Sequence, residues 1–306
     1  MRFVDPKNDL AFKKIFGDEN KTEVLISFLN SVLDFKDGKA IVSASPTNPY
    51  QLPDIKELKE TILDIKATNQ DGETFIVEMQ KKNDGNFAKR SIYYTAKAYV
   101  SQIGKAVNFD QLKKIYYIAL VDFDIFSNTS PISRHLIMNQ ETTQQDLKEI
   151  EFTFVELKKF NLSADKCDTI VQKWLYFINN ASSIDMIPKE FKDIKEFVMA
   201  FETANKLSWN KKELEVYDYM SMKEATDIGA LKKAELDGKR LGIEQGIEQG
   251  IEQGIEQEKL NSQKRVQQEK LNQTIKIAKN LLDILDDETI SLKTGLSIDR
   301  IKKLRV

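Results

Sequence analysis

The stretch Ile62-Leu63-Asp64-Ile65-Lys66-Ala67-Thr68-Asn69-Gln70-Asp71-Gly72-Glu73-Thr74-Phe75-Ile76-Val77-Glu78-Met79-Gln80 reads as two strands around a turn. Alternation places Leu63, Ile65 and Ala67 on one face of the first strand, with Ile62, Asp64 and Lys66 on the other. In the second strand Phe75, Val77 and Met79 share a face, and Glu78 and Gln80 lie opposite. A two-residue Asp71-Gly72 turn would pair Leu63 with Gln80 and Ile65 with Glu78, a register wrong by one because each face then mixes apolar and polar groups. A three-residue loop Gln70-Asp71-Gly72, with Gly72 left-handed, pairs Leu63 with Met79, Ile65 with Val77 and Ala67 with Phe75. It also sets Asp64 opposite Glu78.

Two carboxylates facing each other across a ribbon repel unless something positive lies between them. A divalent cation answers this, and carboxylates without His or Cys select hard, oxygen-bound ions such as Mg²⁺ or Mn²⁺. Such an ion polarises a phosphodiester and activates water, so the chemistry suggested is phosphodiester hydrolysis.

Outward from the hairpin, a helix is predicted from about Asn86 to Gly104. Arg90, Tyr94, Lys97 and Ser101 fall in one narrow sector, and Ala88, Ile92, Ala96, Tyr99 and Ile103 form the opposite, apolar one. Residues 81–114 carry eight basic and two acidic side chains, a local +6 on a chain of net charge −2. A basic stripe beside the acids suits phosphate contacts, although a solvated helix edge gives the same pattern. Upstream, Asn8 to Phe16 reads as a capped helix with Pro6 near its first turn, and Val24, Leu25, Phe28, Leu29 and Val32 mark a second. Strands are expected at 40–45, Ile115 to Val121 and Phe152 to Leu157, and helices between about Ser163 and Met222.

The 306 residues, 41% of them hydrophobic and 31% charged, exclude a wholly disordered chain, and 12 Gly with 6 Pro exclude a collagen-like one. The longest apolar run, Ile115 to Val121, is far short of a membrane span, and the N-terminus lacks a secretory signal pattern, which points to the cytoplasm. Cys167, the single cysteine, cannot form an internal disulfide or a thiolate zinc site and reads as a buried small hydrophobe. His135 is the single histidine, so catalysis is expected to rest on carboxylates.

Gly-Ile-Glu-Gln occurs four times over 242–257. A four-residue period is close to the helical one, yet each Gly costs about 1 kcal/mol relative to Ala inside a helix. Close approach of a second helix along Gly242, Gly246, Gly250 and Gly254, or a tolerant spacer, both fit. Beyond it, Thr294-Gly295-Leu296-Ser297 reads as the turn between two short helices, with Ser297 capping a helix to Leu304. A small structural cap suits that end better than a DNA-reading helix-turn-helix.

Taken together, Asp64, Glu78-Met79-Gln80 after a hairpin, Arg90-Ser91-Ile92-Tyr93-Tyr94, and the upstream Asn8-Asp9-Leu10-Ala11-Phe12-Lys13-Lys14-Ile15-Phe16 resemble the recombination-promoting nuclease and transposase family of PD-(D/E)XK nucleases. The resemblance covers the first two thirds of the chain and extends weakly through 117–126 and 156–160. It implies an α/β, restriction-endonuclease-like core with a mixed central sheet flanked by helices, and metal-dependent DNA cleavage. Carried over residue by residue, it implies Asp64, Glu78 and the Met79 carbonyl as ligands of Mg²⁺ or Mn²⁺, Asp9 as an acid from the first helix, and Asp64, Glu78 and Gln80 as catalytic positions. Gln80 stands where the wider superfamily's motif has lysine, although the Glu-x-Gln form is common in the resembled family, and an amide offers neither charge nor basicity. Lys81, Lys82 or Arg90 can supply that charge, and Lys81, Lys82, Arg90, Tyr94 and Lys97 are the expected DNA contacts.

The expectation is thus a nuclease-like domain over 1–230 and a helical tail over 231–306, acting as a metal-dependent DNA endonuclease linked to recombination or mobile elements. The alternative is a non-catalytic DNA-binding or assembly protein with an oligomerising tail. A homodimer through either part is left open.

Overall fold

The computed structural model describes residues 2–35, 39–47, 50–51, 61–62, 64–83, 85–103 and 108–305. In chain order the helices are α1 (Asp9–Phe16), α2 (Thr22–Leu33), α3 (Phe87–Val100), α4 (Ile170–Asn180), α5 (Lys195–Ala204), α6 (Lys211–Leu281), α7 (Asp287–Thr294) and α8 (Ile298–Lys302). The strands are β1 (Ala44–Thr47), β2 (Tyr50–Gln51), β3 (Thr61–Ile62), β4 (Ile65–Asn69), β5 (Thr74–Gln80), β6 (Ile115–Val121), β7 (Ile132–Leu136) and β8 (Ile150–Glu156). Two compact units are present, residues 1–228 and 229–306.

The hairpin register is the one that the three-residue loop demands. Ile65 lies opposite Val77 and Ala67 opposite Phe75. Gly72 has φ +77° and donates its N–H to the Asn69 carbonyl at 3.1 Å, while Asn69 Oδ1 accepts from the N–H groups of Asp71 and Glu73. A left-handed residue is needed at that turn, and glycine takes it without a Cβ penalty. The first strand is shorter than alternation predicts. Asp64 lies in a bend, and its carboxylate, rather than a backbone partner, takes the Met79 N–H at 2.7 Å. Ile62 belongs instead to a separate ribbon, opposite Tyr50, and the expected Leu63–Met79 pair involves Leu63, outside the described residues.

Six strands form a mixed sheet in the order β1-β4-β5-β6-β8-β7. The pairs β5–β6 and β6–β8 are parallel, and the outer pairs are antiparallel. β5 and β6 are buried on both faces, as parallel central strands usually are. On one face Ile65, Phe75, Val77, Ile118 and Leu120 share a core with Phe12, Phe16, Phe28, Trp174 and Phe201 from α1, α2, α4 and α5. On the other, Ile76, Tyr117, Ala119 and Phe154 pack with Phe87 and Ala98 of α3.

The packing of α3 corrects its sequence reading. Of the apolar sector Ala88, Ile92, Ala96, Tyr99, Ile103, Tyr99 packs against the core, whereas Ile92 is 60% exposed and Ala88 and Ala96 are exposed too. The buried stripe is Phe87, Ser91, Thr95 and Ala98. Small groups let the helix lie close to the sheet, and the two hydroxyls are satisfied within the helix, Ser91 Oγ donating to the Ala88 carbonyl and Thr95 Oγ1 to that of Ser91, both at 2.8 Å. This rotation leaves Arg90 and Tyr94 half-buried beside β5 rather than pointing to bulk water. The strand expected at 40–45 lies at Ala44–Thr47, paired with β4.

Cys167 is buried, and His135 on β7 lies against the rings of Phe126 and Phe154. In the second unit the Gly-Ile-Glu-Gln segment is helical, and Ala278, Ile290, Leu296 and Ile301 form a small core at its end. Gly295 has φ +74°, and Ser297 is the N-cap of an α8 that stops at Lys302, short of the expected Leu304.

Candidate active site

The first wall of the site is α1. Asn8 is its N-cap, with Oδ1 accepting from the N–H groups of Leu10 and Ala11. Ala11, Phe12, Ile15 and Phe16 anchor the helix in the core, which turns Asp9 and Lys13, four residues apart, to a common side. Lys13 Nζ lies 2.8 Å from Asp9 Oδ1 and 3.4 Å from Asp64 Oδ1. The second wall is the β5 end with α3, and the start of α6 forms the third. There Tyr217 Oη accepts from the Asp5 N–H at 2.8 Å, Lys81 Nζ pairs with Glu224 at 2.8 Å and Asp5 at 3.2 Å, and Lys82 pairs with Asp227. Between these walls lies a cleft of about 490 Å³ lined by Lys7, Asp9, Lys13, Asp64, Glu78, Met79, Gln80, Lys81, Lys82, Arg90, Tyr94 and Glu224.

Its carboxyls are strongly perturbed. Burial, joined by the hydrogen bond and charge of Asp9, pushes Asp64 up to about 7 against the opposing Met79 N–H and Lys13. Burial likewise pushes Glu78 up to about 7, although the Tyr117 hydroxyl donates to its Oε2 at 2.8 Å and Arg90 and Lys13 favour its charge. Tyr117 is itself held well above its ordinary value by burial and by Glu78. For Lys13, burial disfavours the ammonium, but Asp9 and Asp64 together outweigh it and its pKa is raised. Two acids lining one cleft, both shifted in this way, are a pattern typical of functional sites.

Residues 6–235 match the family of PD-(D/E)XK nuclease family transposases. The chain belongs to that family. No curated protein and no solved structure matches it.

PD-(D/E)XK nucleases generally use divalent metals, and one atom in this cleft fits such an ion. Glu78 Oε1 is buried and has no hydrogen-bond partner, a costly state for a carboxylate oxygen unless a cation or proton satisfies it. Among the described residues, no three Asp, Glu, His or Cys side chains are gathered into a ready-made cage. Lys13 supplies the positive charge between Asp9 and Asp64 instead.

Of the residues that the sequence singled out for this nuclease fold, Asp9, Asp64, Glu78, Met79, Gln80, Lys81, Lys82, Arg90 and Tyr94 all line the cleft, and Lys97 does not. Gln80 lines the cleft and donates its amide N–H to the Lys82 carbonyl at 3.1 Å. Lys7, Lys13, Tyr117 and Glu224 were not singled out. Lys13 was within reach of sequence reasoning, because Asp9 and Lys13 are spaced i, i+4 on a helix whose other face is apolar. Tyr117 and Glu224 come from elements 39 and 146 residues beyond Glu78, and no local pattern marks them.

Proposed function

We propose that the protein is a divalent-metal-dependent DNA endonuclease that hydrolyses phosphodiester bonds, with a role in recombination or in the movement of mobile elements. The observation that carries this reading is the unpartnered Glu78 Oε1, buried in the same cleft as Asp64 and Asp9. Asp64 and Glu78 would hold the ion, Mg²⁺ or Mn²⁺, with Asp9 and the Met79 carbonyl as further donors. When bound, it would supply charge to the phosphate and acidity to water. Asp64 is oriented by the Met79 N–H and Glu78 by the Tyr117 hydroxyl, so each carboxylate keeps one oxygen fixed and presents the other. Arg90 and Tyr94 from α3, with Lys81 and Lys82 from the end of β5, line the side of the cleft where a DNA backbone would lie. Lys97, outside the cleft, serves as a more distant phosphate contact on the same helix.

No helix among the described residues is long and apolar enough to cross a membrane, and we place the protein in the cytoplasm, where its DNA substrate is found. The nuclease-like region is taken as 1–230 and the tail as 231–306, with a homodimer through either part compatible with this function.

The test is supercoiled plasmid incubated with Mg²⁺, with EDTA, and with the Asp64→Ala and Glu78→Ala proteins. Nicking or linearisation is expected only from the wild type with Mg²⁺. Equal cleavage by the two variants would sink the assignment.

A second reading, a DNA-binding or assembly protein without chemistry, is favoured by one observation, the Gln80 amide turned toward the Lys82 carbonyl. It predicts metal-independent, salt-sensitive binding and no product.

A further inference from the structure

Cleaving a phosphodiester adds negative charge to the phosphate in the transition state, so a fixed cation beside it is worth more there than in the ground state. The position that would carry this cation on β5 is Gln80. Its amide is neutral and bonded to the Lys82 carbonyl. The lysines that follow it are tied to acids that hold no part of the proposed ion site: Lys81 to Asp5 and Glu224, and Lys82 to Asp227. Lys7, from the turn before α1, is paired with Asp122 at 2.9 Å.

Lys13 differs from these. Arg90 lines the cleft too and, like Lys13, acts on Glu78 by its charge, but the Lys13 ammonium is the one that lies between Asp9 and Asp64. α1 is pinned by four buried side chains and by the Asn8 cap, so the stem of Lys13 starts from a fixed point. We propose that Lys13, delivered from α1, is the cation that contacts the scissile phosphate and replaces the lysine missing at position 80. The proposal rests on the nuclease reading above. Without DNA, Lys13 neutralises Asp9 and Asp64. Once those two carboxylates take up a divalent cation, Lys13 loses them as partners, and a phosphate oxygen in the same cleft becomes its acceptor.

The experiment compares wild type, Lys13→Met, Lys13→Arg and the double variant Lys13→Met/Gln80→Lys. Plasmid cleavage is measured with Mg²⁺. Affinity for a linear duplex is measured with Ca²⁺, which leaves the DNA intact, across a salt series. Lys13→Met is expected to lose about a hundredfold in cleavage, and the slope of log affinity against log salt is expected to fall by about 0.9, the loss of one phosphate contact. Lys13→Arg keeps the charge and is expected to keep the wild-type slope, and the double variant is expected to regain both the slope and at least tenfold in cleavage. Should Lys13→Met not fold, Lys13→Gln, which keeps a polar head and drops the charge, takes its place, and a wild-type slope in it would overturn the proposal. A wild-type slope in a folded Lys13→Met protein, with no recovery in the double variant, would also overturn it, since an ion pair that only braces Asp9 and Asp64 behaves that way. A slope difference between wild type and Lys13→Met with no cleavage by the wild type would refute the nuclease reading and leave the phosphate contact standing.

Discussion

On the α1 wall of the cleft an ammonium, Lys13, is paired with Asp9 and Asp64, the acids that would hold the metal. On the α6 wall Lys81 and Lys82 are paired with Glu224 and Asp227, acids that would not. Both sets are partly buried lysine–carboxylate pairs of similar geometry, but their positions give them different consequences. Breaking the first disturbs the groups proposed to hold the ion. Breaking the second frees Lys82 and loosens Lys81, which keeps Asp5, and leaves the acids of the proposed ion site in place. On the proposed function, the α6 wall is a competitor for phosphate, and the α1 wall belongs to the proposed reacting centre.

The largest expected effect lies at the centre itself. Glu78→Gln keeps the shape and the Tyr117 hydrogen bond but removes the charge that a metal would meet. Metal-dependent cleavage should fall by on the order of 10³-fold, since electrostatic stabilisation by a bound ion is worth several kcal/mol. Calorimetric titration with Mn²⁺ should show weakened binding in parallel. Unchanged cleavage would place the chemistry elsewhere.

The second effect is on stability against pH in protein freed of metal by EDTA. Asp64 and Glu78 have folded pKa values raised to about 7, against ordinary values near 4. Between these limits the folded state binds more protons than the unfolded one, so stability falls as pH rises from about 4 through 7. Burial drives both shifts, Asp9 adds to that of Asp64, and Lys13, Arg90 and Tyr117 oppose them only in part. The melting temperature should drop between pH 5 and pH 8, by an amount equivalent to a few kcal/mol. Glu78→Gln should flatten the curve, and Mg²⁺ should restore stability at pH 8. A flat profile in EDTA would show that these carboxyls stay ionised in the folded protein.

How much of this was legible in the sequence depends on which forces are local. The β4–β5 register was readable because loop length fixes it, and Asn69 to Gly72 permits only one loop that keeps both faces consistent. Both acids line one cleft, but the observed ladder ends at Ile65–Val77, and the Asp64 bend was not readable because it depends on a side chain capturing the Met79 N–H. The α3 face was misjudged for a different reason. Hydrophobic periodicity assumes that the apolar side of a helix packs, whereas the sheet here is covered by a row of small and hydroxylated residues, Ser91, Thr95 and Ala98, behind Phe87. The α6 wall could not be read at all, since Glu224 and Asp227 meet Lys81 and Lys82 only after the chain has built the whole sheet between them.

A smaller effect separates the two walls directly. Glu224→Gln with Asp227→Asn should release Lys82 and leave Lys81 held by Asp5 alone, raising affinity for duplex DNA about tenfold at low salt, which is about 1.4 kcal/mol. The salt slope should steepen, by about 0.9 for each lysine that gains a phosphate. Fluorescence anisotropy across a salt series measures both. An unaltered slope would mean that these lysines serve α6 packing and never meet the backbone.

The smallest effect tests whether the α1 side of the site is secured by its hairpin and not by the cleft's own charges. Gly72 sits at the turn with φ +77°, and a Cβ placed there would meet only the Lys113 side chain, at 3.6 Å, an ordinary contact. Gly72→Ala therefore costs what the left-handed backbone costs a residue with a Cβ, about 1 kcal/mol, and little more. For the unit of residues 1–228 this is a fall of roughly 2–4 °C in melting temperature. Gly72→Asn should lose less, because Asn tolerates that region. Cleavage by both variants at a temperature where they are folded should match the wild type, since Ile65–Val77 and Ala67–Phe75 still fix the register by burial. A cleavage defect without a stability defect would show instead that the turn steers Asp64, and that the alignment of the acids depends on one glycine rather than on the apolar face of the ribbon.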